Sequence, residues 1–351
     1  MIRQQHFQEL SMPAHRPVNL ALIGAGRIGS FHAESVARRL VDADLVAVAD
    51  PAPGAAGRLA ASLDAPKAYT SVSELLANPE VDGVIIATPA RFHTSVVVEA
   101  ARAGKAVFCE KPMALTLEEA DEAIAATKSA GVPLQVGFNR RWDQAFYEGR
   151  AAIDAGKVGS VQLLRSLTRD PGPYRGNPEK TPLWTIFYET LIHDFDTLLW
   201  LNPTAKPVEV TAIADALVRP DFAGNGFHDT AVVTIRFDNG SIAVAEANFC
   251  AMYGYDIRGE VFGSGGMVMM GDVRRSSMTL YDKNGVSNDT WRRDTDHFVN
   301  GYTAQLASFV DAIRTGTVTG PTGEDARNAL AIALACITSV TERRAIPLSS
   351  L

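Results

Sequence analysis

The sequence has little cysteine and no long apolar segment. Its three cysteines, Cys109, Cys250 and Cys336, lie far apart among 351 residues. An odd and scattered set fits neither a disulfide framework nor a paired metal-binding motif, so it favours a reducing compartment, and the cytoplasm is the expected location. No apolar run reaches the roughly 18 to 20 residues that a membrane-spanning helix needs. Residues 1–17 contain charges and two prolines instead of an apolar core, and we expect a flexible tail there rather than a signal peptide.

The sequence also lacks long runs of like charge. It contains 33 lysines and arginines and 40 aspartates and glutamates, which gives a net charge of −7 with histidine neutral. This balance argues against an extended basic surface, and neither a nucleic-acid nor a membrane partner is expected. Apolar residues at 46% and charged residues at 21% are typical of folded globular proteins. The length corresponds to about two domains, so a folded enzyme or binding protein is expected.

Strand-like and helix-like segments alternate in the first part of the chain. Short apolar runs typical of buried parallel strands occupy residues 18–23, 45–50, 81–86, 106–109 and 133–138. Helix-like patterns lie between them at residues 27–40, 91–103 and 117–130. This alternation predicts an α/β fold with a parallel, doubly wound sheet, which is a Rossmann domain over residues 18–137.

Residues 138–351 have a different pattern. Helices are predicted at 143–155, 187–201, 302–315 and 324–344, and most of 208–281 alternates strand-like segments with turn signals. The tripeptide Asp238-Asn239-Gly240 separates two such segments and predicts a hairpin with a type I′ turn, which needs positive φ at both central positions. We therefore predict a second domain with a mostly antiparallel sheet, and a last helix able to pack against the first domain.

A glycine motif follows the first predicted strand. Gly24, Gly26 and Gly29 fit the GxGxxG pattern and open the first predicted helix. In a dinucleotide-binding loop the first glycine permits the tight turn, the second lets a pyrophosphate approach the backbone, and the third allows close helix packing. Arg27 and Ile28, which complete the motif, are candidate cofactor contacts at the positive end of the helix dipole. A plain turn is the alternative interpretation.

An acidic residue ends the second predicted strand. Asp50 lies 21 residues after Gly29, where a carboxylate can accept hydrogen bonds from both hydroxyls of a ribose and repel a 2′-phosphate. The sequence therefore predicts NAD rather than NADP as the cofactor. A turn that begins before Pro51 is the structural alternative.

A lysine follows the strand predicted at residues 106–109. Lys111 lies in the run Cys109-Glu110-Lys111-Pro112, at the sheet edge where doubly wound folds bind ligands. Burial beside a cationic cofactor would lower the pKa of this lysine toward neutrality, as acid–base catalysis requires. A solvated lysine paired with Glu110 is the alternative.

A histidine flanked by acids lies in the helix predicted at residues 187–201. On an α-helix, Glu189 and His193 share one face at spacing i, i+4, and Asp196 follows the histidine by three residues. The carboxylate is then expected to orient the imidazole and to raise its pKa. His193 is a candidate catalytic base, and a structural histidine is the alternative.

These motifs, taken together, resemble the Gfo/Idh/MocA oxidoreductases, and within them the inositol 2-dehydrogenases. The matching segments, in chain order, are residues 24–29, 87–89, 109–112, 137–141, 169–171, 192–196 and 253–256. The resemblance covers residues 18–345. It implies a Rossmann domain followed by an α/β domain with an open, mostly antiparallel sheet, through which such proteins commonly form homodimers or homotetramers.

The resemblance also implies an activity and the residues that carry it. The expected reaction is NAD-dependent oxidation of a secondary hydroxyl of a small cyclic polyol or sugar, with myo-inositol at its 2-position as the first candidate substrate. Lys111 and His193 would form the acid–base pair, with Glu189 beside them. Thr88, Pro89, His93, Glu110 and Lys111 itself would also contact the cofactor, and Arg141, Asp170, Tyr255 and Trp184 would bind the polyol. For His93 a capping role, and for Trp184 a buried packing role, are the alternatives.

Two features depart from the inositol enzymes, and both lie on the substrate side. Glu189 replaces an aspartate, and residues 174–184 form an unusual insert. Another sugar or anhydrosugar dehydrogenase, a hydrolase that retains NAD, and a non-catalytic NAD-binding regulator are therefore the rival functions. The histidines are not spaced as metal ligands, so no metal is expected.

Overall fold

The computed structural model describes residues 16–348, so the predicted tail lies almost wholly outside the described residues. The first part of the chain forms a six-stranded parallel sheet in the order β3-β2-β1-β4-β5-β6. Its strands and helices are β1 (Val18–Ile23), α1 (Arg27–Arg39), β2 (Ala43–Ala49), α2 (Ala55–Ser62), β3 (Lys67–Tyr69), α3 (Val72–Leu76), β4 (Gly83–Ile86), α4 (His93–Arg102), β5 (Ala106–Cys109), α5 (Leu117–Ala130) and β6 (Leu134–Val136). This confirms the predicted Rossmann fold.

The strand order of this sheet locates a ligand crevice. β1 lies between β2 and β4, so the winding direction reverses between β1 and β4. In open parallel sheets, ligands bind outside the carboxyl ends of the strands at such a reversal. Strands β1, β4 and β5 end at Ile23, Ile86 and Cys109, and all three of these side chains are buried. The segments that follow these strands therefore meet at one edge of the sheet.

The second part of the chain forms a seven-stranded mixed sheet in the order β12-β11-β7-β10-β9-β8-β15. Its elements, with a separate hairpin of β13 and β14, are α6 (Gln144–Asp154), β7 (Val161–Pro171), α7 (Ile192–Trp200), β8 (Pro207–Asp215), β9 (Thr230–Phe237), β10 (Ile242–Ala251), β11 (Asp256–Gly263), β12 (Gly266–Met270), β13 (Arg274–Asp282), β14 (Gly285–Thr290), α8 (Asp294–His297), α9 (Val299–Thr315), α10 (Gly323–Glu342) and β15 (Ile346–Pro347). Only β7 and β10 pair in parallel, which confirms the mostly antiparallel sheet.

The predicted hairpin is present, with a different turn. β9 and β10 pair in antiparallel register, with Ala243 opposite Ile235. Among the residues of the turn, Gly240 has a positive φ of 85° and Asn239 does not. The amide of Gly240 donates to the carbonyl of Phe237, and the amide of Phe237 donates to the carbonyl of Ser241. The connection is therefore a three-residue loop with glycine in the left-handed position, rather than a two-residue type I′ turn.

The two C-terminal helices contact both halves of the molecule. α9 packs against α1 and β5, and its buried Leu306, Phe309 and Val310 join the core on one face of the Rossmann sheet. α10 packs against α5 of the first part and against α7 and β8 of the second. It begins with a capping box, in which the Thr322 side chain accepts from the amide of Asp325 and the Asp325 side chain accepts from the amide of Thr322. The predicted domain boundary near residue 138 stays a prediction.

Several elements were not predicted. Helices α2 and α3 and strand β3 are short, and the long strand β7 precedes the region in which strands were expected. The helix predicted at residues 187–201 divides into a π-helical segment, Ile186–Leu191, and the α-helix α7. Among residues 16–348, no helix is long and apolar enough to cross a membrane.

Candidate active site

The glycine loop has the geometry of a phosphate-binding turn. Gly24 has a φ of 101°, and a Cβ on it would lie 2.6 Å from the carbonyl oxygen of Ala87. A Cβ on Gly29 would overlap the carbonyl oxygen of Gly24, so only glycine allows α1 to pack this closely. Gly26, the N-cap of α1, has open space where its Cβ would be. The backbone is thus accessible to a pyrophosphate at the positive end of α1.

Asp50 lies beside this loop. Its Oδ2 accepts a hydrogen bond from the amide of Ala25 at 2.7 Å, and its Oδ1 accepts from the amide of Ala52 at 2.8 Å. The carboxylate thereby joins the end of β2 to the glycine loop. Carboxylate oxygens have further lone pairs, and this side chain is only half-buried, so it remains able to accept hydrogen bonds from a ribose. These features fit an NAD-binding site.

The segment after β4 contributes to the same edge of the sheet. The hydroxyl oxygen of Thr88 is buried and has no hydrogen-bond partner among the described residues, while Pro89 is exposed. His93 is buried, and its two ring nitrogens each lie 2.7 Å from a carbonyl oxygen, those of Pro112 and Thr88. With both nitrogens occupied, His93 ties two loops together. The predicted cofactor contact of His93 is therefore corrected to a structural role, whereas Thr88 has an unsatisfied group to offer.

A cavity of about 410 Å³ lies between the two halves of the molecule. Its wall contains the predicted residues Arg27, Ile28, Glu110, Lys111, Asp170, Glu189, His193 and Tyr255, together with Asn139, Arg140, Thr168, Pro171, Thr190, Ile257, Arg292, Arg293, Asp294, Phe298 and Tyr302. The cavity therefore joins the glycine-loop end of the first sheet to side chains of the second part of the chain.

Lys111 lies in this wall and is held by a carboxylate. Its Nζ donates to the backbone carbonyl of Glu189 at 2.9 Å and to Oε2 of the same residue at 3.1 Å. The lysine side chain is largely buried, whereas Glu189 is half-exposed. Glu189 thus pairs with Lys111, and the expected pairing of Glu189 with His193 is wrong.

Glu110 supports the lysine from behind. His32, fully buried in α1, donates from Nε2 to Oε1 of Glu110 at 2.7 Å, and Oε2 accepts from the amide of Lys111 at 3.1 Å. Burial raises the pKa of the Glu110 carboxyl, but the hydrogen bond from His32 and the charge of Lys111 outweigh it, so the pKa lies below its usual value. Glu110 is therefore an anion that links the cofactor helix to the Lys111 loop.

His193 borders the cavity without a carboxylate partner. Because the π-helical segment precedes it, the four-residue spacing from Glu189 no longer places the two side chains on one face. Its Nδ1 is buried without a hydrogen-bond partner among the described residues, and Phe138 packs edge-on against the ring. Burial, followed by the charges of Lys111 and Arg140, lowers the pKa of His193 well below its ordinary value. The expected rise in pKa is thus corrected, and His193 is a neutral imidazole near pH 7.

Arg140, rather than the predicted Arg141, lines the cavity. Arg141 makes a buried ion pair with Asp196, at 2.9 Å from Nε to Oδ2, and reaches Asp325 of α10 at 3.0 Å. It does not line the cavity. Arg140 does line it, and its guanidinium donates to Asp194 at 2.7 Å in a fully buried pair. The predicted polyol contact of Arg141 is corrected, because the 3₁₀ turn Asn139–Trp142 directs the preceding arginine to the cavity.

Asp170 and Tyr255 were both predicted to bind the polyol, and both line the cavity. Burial, together with the negative charge of Asp294, raises the pKa of Asp170 to about 6. Burial and the nearby Asp170 raise the pKa of Tyr255 well above its ordinary value, so its hydroxyl stays protonated. Near neutral pH the wall therefore offers a carboxylate acceptor next to a phenol donor.

Trp184 does not reach the cavity. Its indole stacks on His228 with ring centroids 4.7 Å apart, and its backbone has a positive φ of 64°. The predicted stacking of Trp184 on a sugar ring is therefore corrected to a packing role in the second part of the chain.

Sequence reasoning missed Arg140 and Asp294. Arg27 of the glycine loop forms hydrogen bonds of 2.9 to 3.1 Å with both oxygens of Asp294, which begins α8. The two residues are 267 positions apart, and no local pattern marks Asp294. For Arg140 the only signal was its position beside Arg141, which was the arginine predicted to bind the polyol. Among residues 16–348, no group of three histidine, cysteine or acidic side chains could hold a metal ion.

Known proteins share this arrangement of sequence and fold. Residues 18–138 match the GFO/IDH/MocA family, described as "Oxidoreductase family, NAD-binding Rossmann fold". Residues 146–269 match the GFO/IDH/MocA C-terminal domain. The chain is 34% identical over 332 residues to a myo-inositol 2-dehydrogenase of Thermotoga maritima, covering 94% of this chain and 98% of that one. It is 34% identical to a scyllo-inositol 2-dehydrogenase (NAD(+)) of Bacillus subtilis, covering 92% and 94% of the two chains. The crystal structure of a putative myo-inositol dehydrogenase from Sinorhizobium meliloti has a TM-score of 0.87 at 34% identity, covering 95% and 100%.

Proposed function

The chain belongs to the Gfo/Idh/MocA oxidoreductase family, and on that premise we propose that it oxidises a secondary hydroxyl of a cyclic polyol or sugar with NAD. Myo-inositol, oxidised at position 2, is the first candidate substrate. The observation that carries the proposal is that Lys111, His193 and Asp170 line one cavity, which adjoins the glycine loop. The names of the similar proteins agree with this substrate class.

The wall residues provide the groups that such an oxidation requires. NAD bound at the glycine loop and Asp50 would supply the acceptor for the hydride of the alcohol carbon. Lys111 donates a hydrogen bond to the reacting oxygen and stabilises the negative charge that develops there. His193 is neutral and its Nδ1 is buried, so Nε2 is the nitrogen that faces the cavity and takes the hydroxyl proton. The alcohol loses one hydride and one proton and becomes a ketone.

The remaining polar groups fit a neutral polyol. Asp170 makes no hydrogen bond to another side chain among the described residues, so its oxygens are available to substrate hydroxyls. The cationic groups of Lys111, Arg27 and Arg140 each have an acidic partner, Glu189, Asp294 and Asp194 respectively. With Arg292 and Arg293 included, five cationic and four acidic side chains line the cavity, so it holds no large excess of positive charge that would select an anion.

An initial-rate screen tests the proposed function. NAD and NADP are each offered with inositol isomers, aldoses and anhydrosugars, and NADH formation is followed by absorbance. We expect net reduction of NAD with at least one cyclic polyol or sugar. Consumption of a glycoside without net NADH would indicate the hydrolytic cycle instead. Tight NADH binding without any turnover would indicate a regulatory protein, and a preference for NADP would contradict the role proposed for Asp50.

The proposed role of Asp170 predicts that kcat/KM depends on pH. Because its pKa is about 6, the carboxylate is present above pH 6 and is lost as the pH falls below it. If the carboxylate accepts hydrogen bonds from the polyol, kcat/KM should fall on the acid side of about pH 6 and be level above it. Asp170→Asn should lower kcat/KM about tenfold or more at pH 8 and remove the inflection near pH 6. The inflection is read from kcat/KM between pH 5 and 9, and its survival in Asp170→Asn would assign it elsewhere.

We also propose that the chain forms a homodimer or homotetramer through the open face of the seven-stranded sheet. Exposed apolar side chains lie on this face in several strands, at Leu163, Ile213, Val232, Ile242, Phe262 and Met269. Ile213 and Val232 are cross-strand partners, and Ile213 is 74% exposed. Leu163, Ile242 and Phe262 adjoin one another across three strands, and exposed apolar patches of this kind mark an interaction site.

Sedimentation velocity tests the proposed assembly. The wild-type chain should sediment as a dimer or tetramer at micromolar concentration, and Ile213→Glu should shift it to smaller species, because an unpaired charge would be buried in the interface. Val41→Glu, at an exposed position on the Rossmann part, is the matched control. A wild-type monomer would refute the proposal.

A further inference from the structure

A second cavity adjoins the first on the side of Glu189. It measures about 360 Å³, and four residues, Asp170, Pro171, Glu189 and Thr190, line both cavities. Each cavity alone lies within the range of roughly 300 to 1,000 Å³ that is usual for small-molecule sites. The mechanism described above uses only the first cavity.

The outer wall of the second cavity comes from the unusual insert. Tyr174, Arg175 and Thr181 belong to it, and the buried Phe249 of β10 lies against the ring of Tyr174. Tyr174 stacks on Phe249 with ring centroids 6.2 Å apart and 11° between the planes, which fixes the position of the tyrosine. The departure from the inositol enzymes seen in the sequence therefore builds a surface next to the reacting centre.

The chemistry of this wall fits a second sugar ring. Tyr174 and Pro173 offer apolar surface for the C–H face of a ring, and the guanidinium of Arg175 can donate hydrogen bonds at its edge. The hydroxyl of Thr181 donates to the carbonyl of Asn177, and its oxygen can still accept a hydrogen bond from the ring. Arg175 is exposed and makes no hydrogen bond within the described residues. The carboxylates of Asp170 and Glu189 line the same space, so a single arginine does not make the cavity selective for an anion.

The position of Glu189 connects the second cavity to the reaction. Its Oε2 accepts from Lys111 Nζ at 3.1 Å, and its half-exposed side chain lies in the wall shared by the two cavities. A ring bound beside Lys111 in the first cavity can thus carry a substituent past Glu189 into the second. We propose that the second cavity is a subsite for a glycosyl substituent, so that the preferred substrate is a glycosylated polyol or a disaccharide. This inference rests on the proposed function, which it makes more specific.

Paired substrates test the subsite. The full-length enzyme with NAD is assayed with galactinol against myo-inositol, and with maltose against glucose. In at least one pair, kcat/KM for the glycosylated member should exceed that of the free member about tenfold, since the extra ring adds contacts worth about one factor of ten. Equal or lower kcat/KM for the glycosylated member in both pairs overturns the proposal. Faster oxidation of a phenyl ether of inositol than of galactinol overturns the assignment to a sugar ring.

Substitutions in the insert test whether the higher kcat/KM of the glycosylated substrate arises in the second cavity. Arg175→Ala should lower kcat/KM for the glycosylated member about fivefold to tenfold, and Arg175→Trp, which fills the cavity, should lower it further. Both should leave the free member within about twofold, because neither change touches the first cavity. Lys180→Ala, an exposed residue of the same insert that does not line the cavity, is the matched control. Equal losses for both members of a pair overturn the subsite.

The experiments distinguish a wrong subsite from a wrong proposed function. If the free polyol is oxidised and the glycosylated one has no advantage, the function stands and the subsite is wrong. If no polyol or sugar of the initial-rate screen and no member of either pair yields NADH, the proposed function is wrong, and the subsite is then tested by binding. Saturation-transfer NMR should then still show contact with the galactosyl protons of galactinol in the wild type and not in Arg175→Trp. Absence of that contact in the wild type overturns the subsite as well.

Discussion

Replacing Lys111 with alanine is expected to lower kcat about a hundredfold or more while the dissociation constant of NAD changes little. The lysine Nζ is the cationic group beside the junction of the two cavities, and Glu189 holds it with two hydrogen bonds. A fixed donor aimed at a developing oxyanion acts mainly in the transition state, so its loss falls on kcat rather than on cofactor binding. The measurements are steady-state rates with the best substrate of the screen and NAD titration by tryptophan fluorescence.

Two controls separate catalysis from folding. Lys128→Ala removes an exposed lysine of α5 and should leave both quantities unchanged. Glu189→Gln removes the charge beside Lys111 but keeps a side-chain acceptor and the backbone acceptor, so it should cost less than Lys111→Ala. Thermal unfolding of each variant shows whether the fold is retained. Normal turnover by a folded Lys111→Ala enzyme would refute the catalytic role of the lysine.

The Rossmann part could be predicted from sequence because its signals are local. The apolar run before Gly24 forms β1, and the strand predicted at residues 106–109 has the bounds seen in β5. Two of the constraints on the glycines lie within the motif itself, namely the positive φ of Gly24 and the close approach of Gly29 to the carbonyl of Gly24. Lys111 was located by the same means, since the segment that follows a parallel strand must lie at the carboxyl edge of the sheet.

The substrate side could not be predicted as well, because its geometry depends on how irregular segments turn. The 3₁₀ turn at Asn139–Trp142 decides that Arg140 rather than Arg141 faces the cavity, and the motif does not distinguish the two. The π-helical segment before α7 moves Glu189 away from His193 and toward Lys111. An α-helical spacing rule fails where the turn holds an extra residue.

Other parts of the site depend on contacts between distant segments. Asp294 belongs to a short helix near the end of the chain and meets Arg27 near its start, so no window of sequence contains both. The pKa of Asp170 is raised by burial and by this same Asp294, whereas the acids beside His193 in sequence are engaged by arginines. The pKa values of these groups therefore depend on which side chains surround them in the folded cavity. The residues next to His193 in sequence predicted a raised pKa, whereas its pKa is lowered.

Replacing His193 with alanine is expected to lower kcat/KM for alcohol oxidation about a hundredfold to ten-thousandfold, the usual contribution of a positioned general base. The base acts only when neutral. Burial and the nearby cations lower the pKa of His193 well below the ordinary value. The imidazole therefore becomes protonated, and stops acting as a base, only when the pH falls far below 6.5. In the wild type the first loss of activity on acidification should therefore come from Asp170, near pH 6.

The variants separate these two titrations. In Asp170→Asn, kcat/KM should still fall at lower pH, where His193 becomes protonated. In His193→Ala, the inflection due to Asp170 should remain, but kcat/KM should be much lower throughout. Added imidazole should restore part of the activity of His193→Ala, because a free base can enter the space left by the ring. His228→Ala, which removes an imidazole outside the cavity, is the matched control and should gain nothing from imidazole. An unchanged rate and pH profile in folded His193→Ala would assign the proton transfer to Lys111 alone.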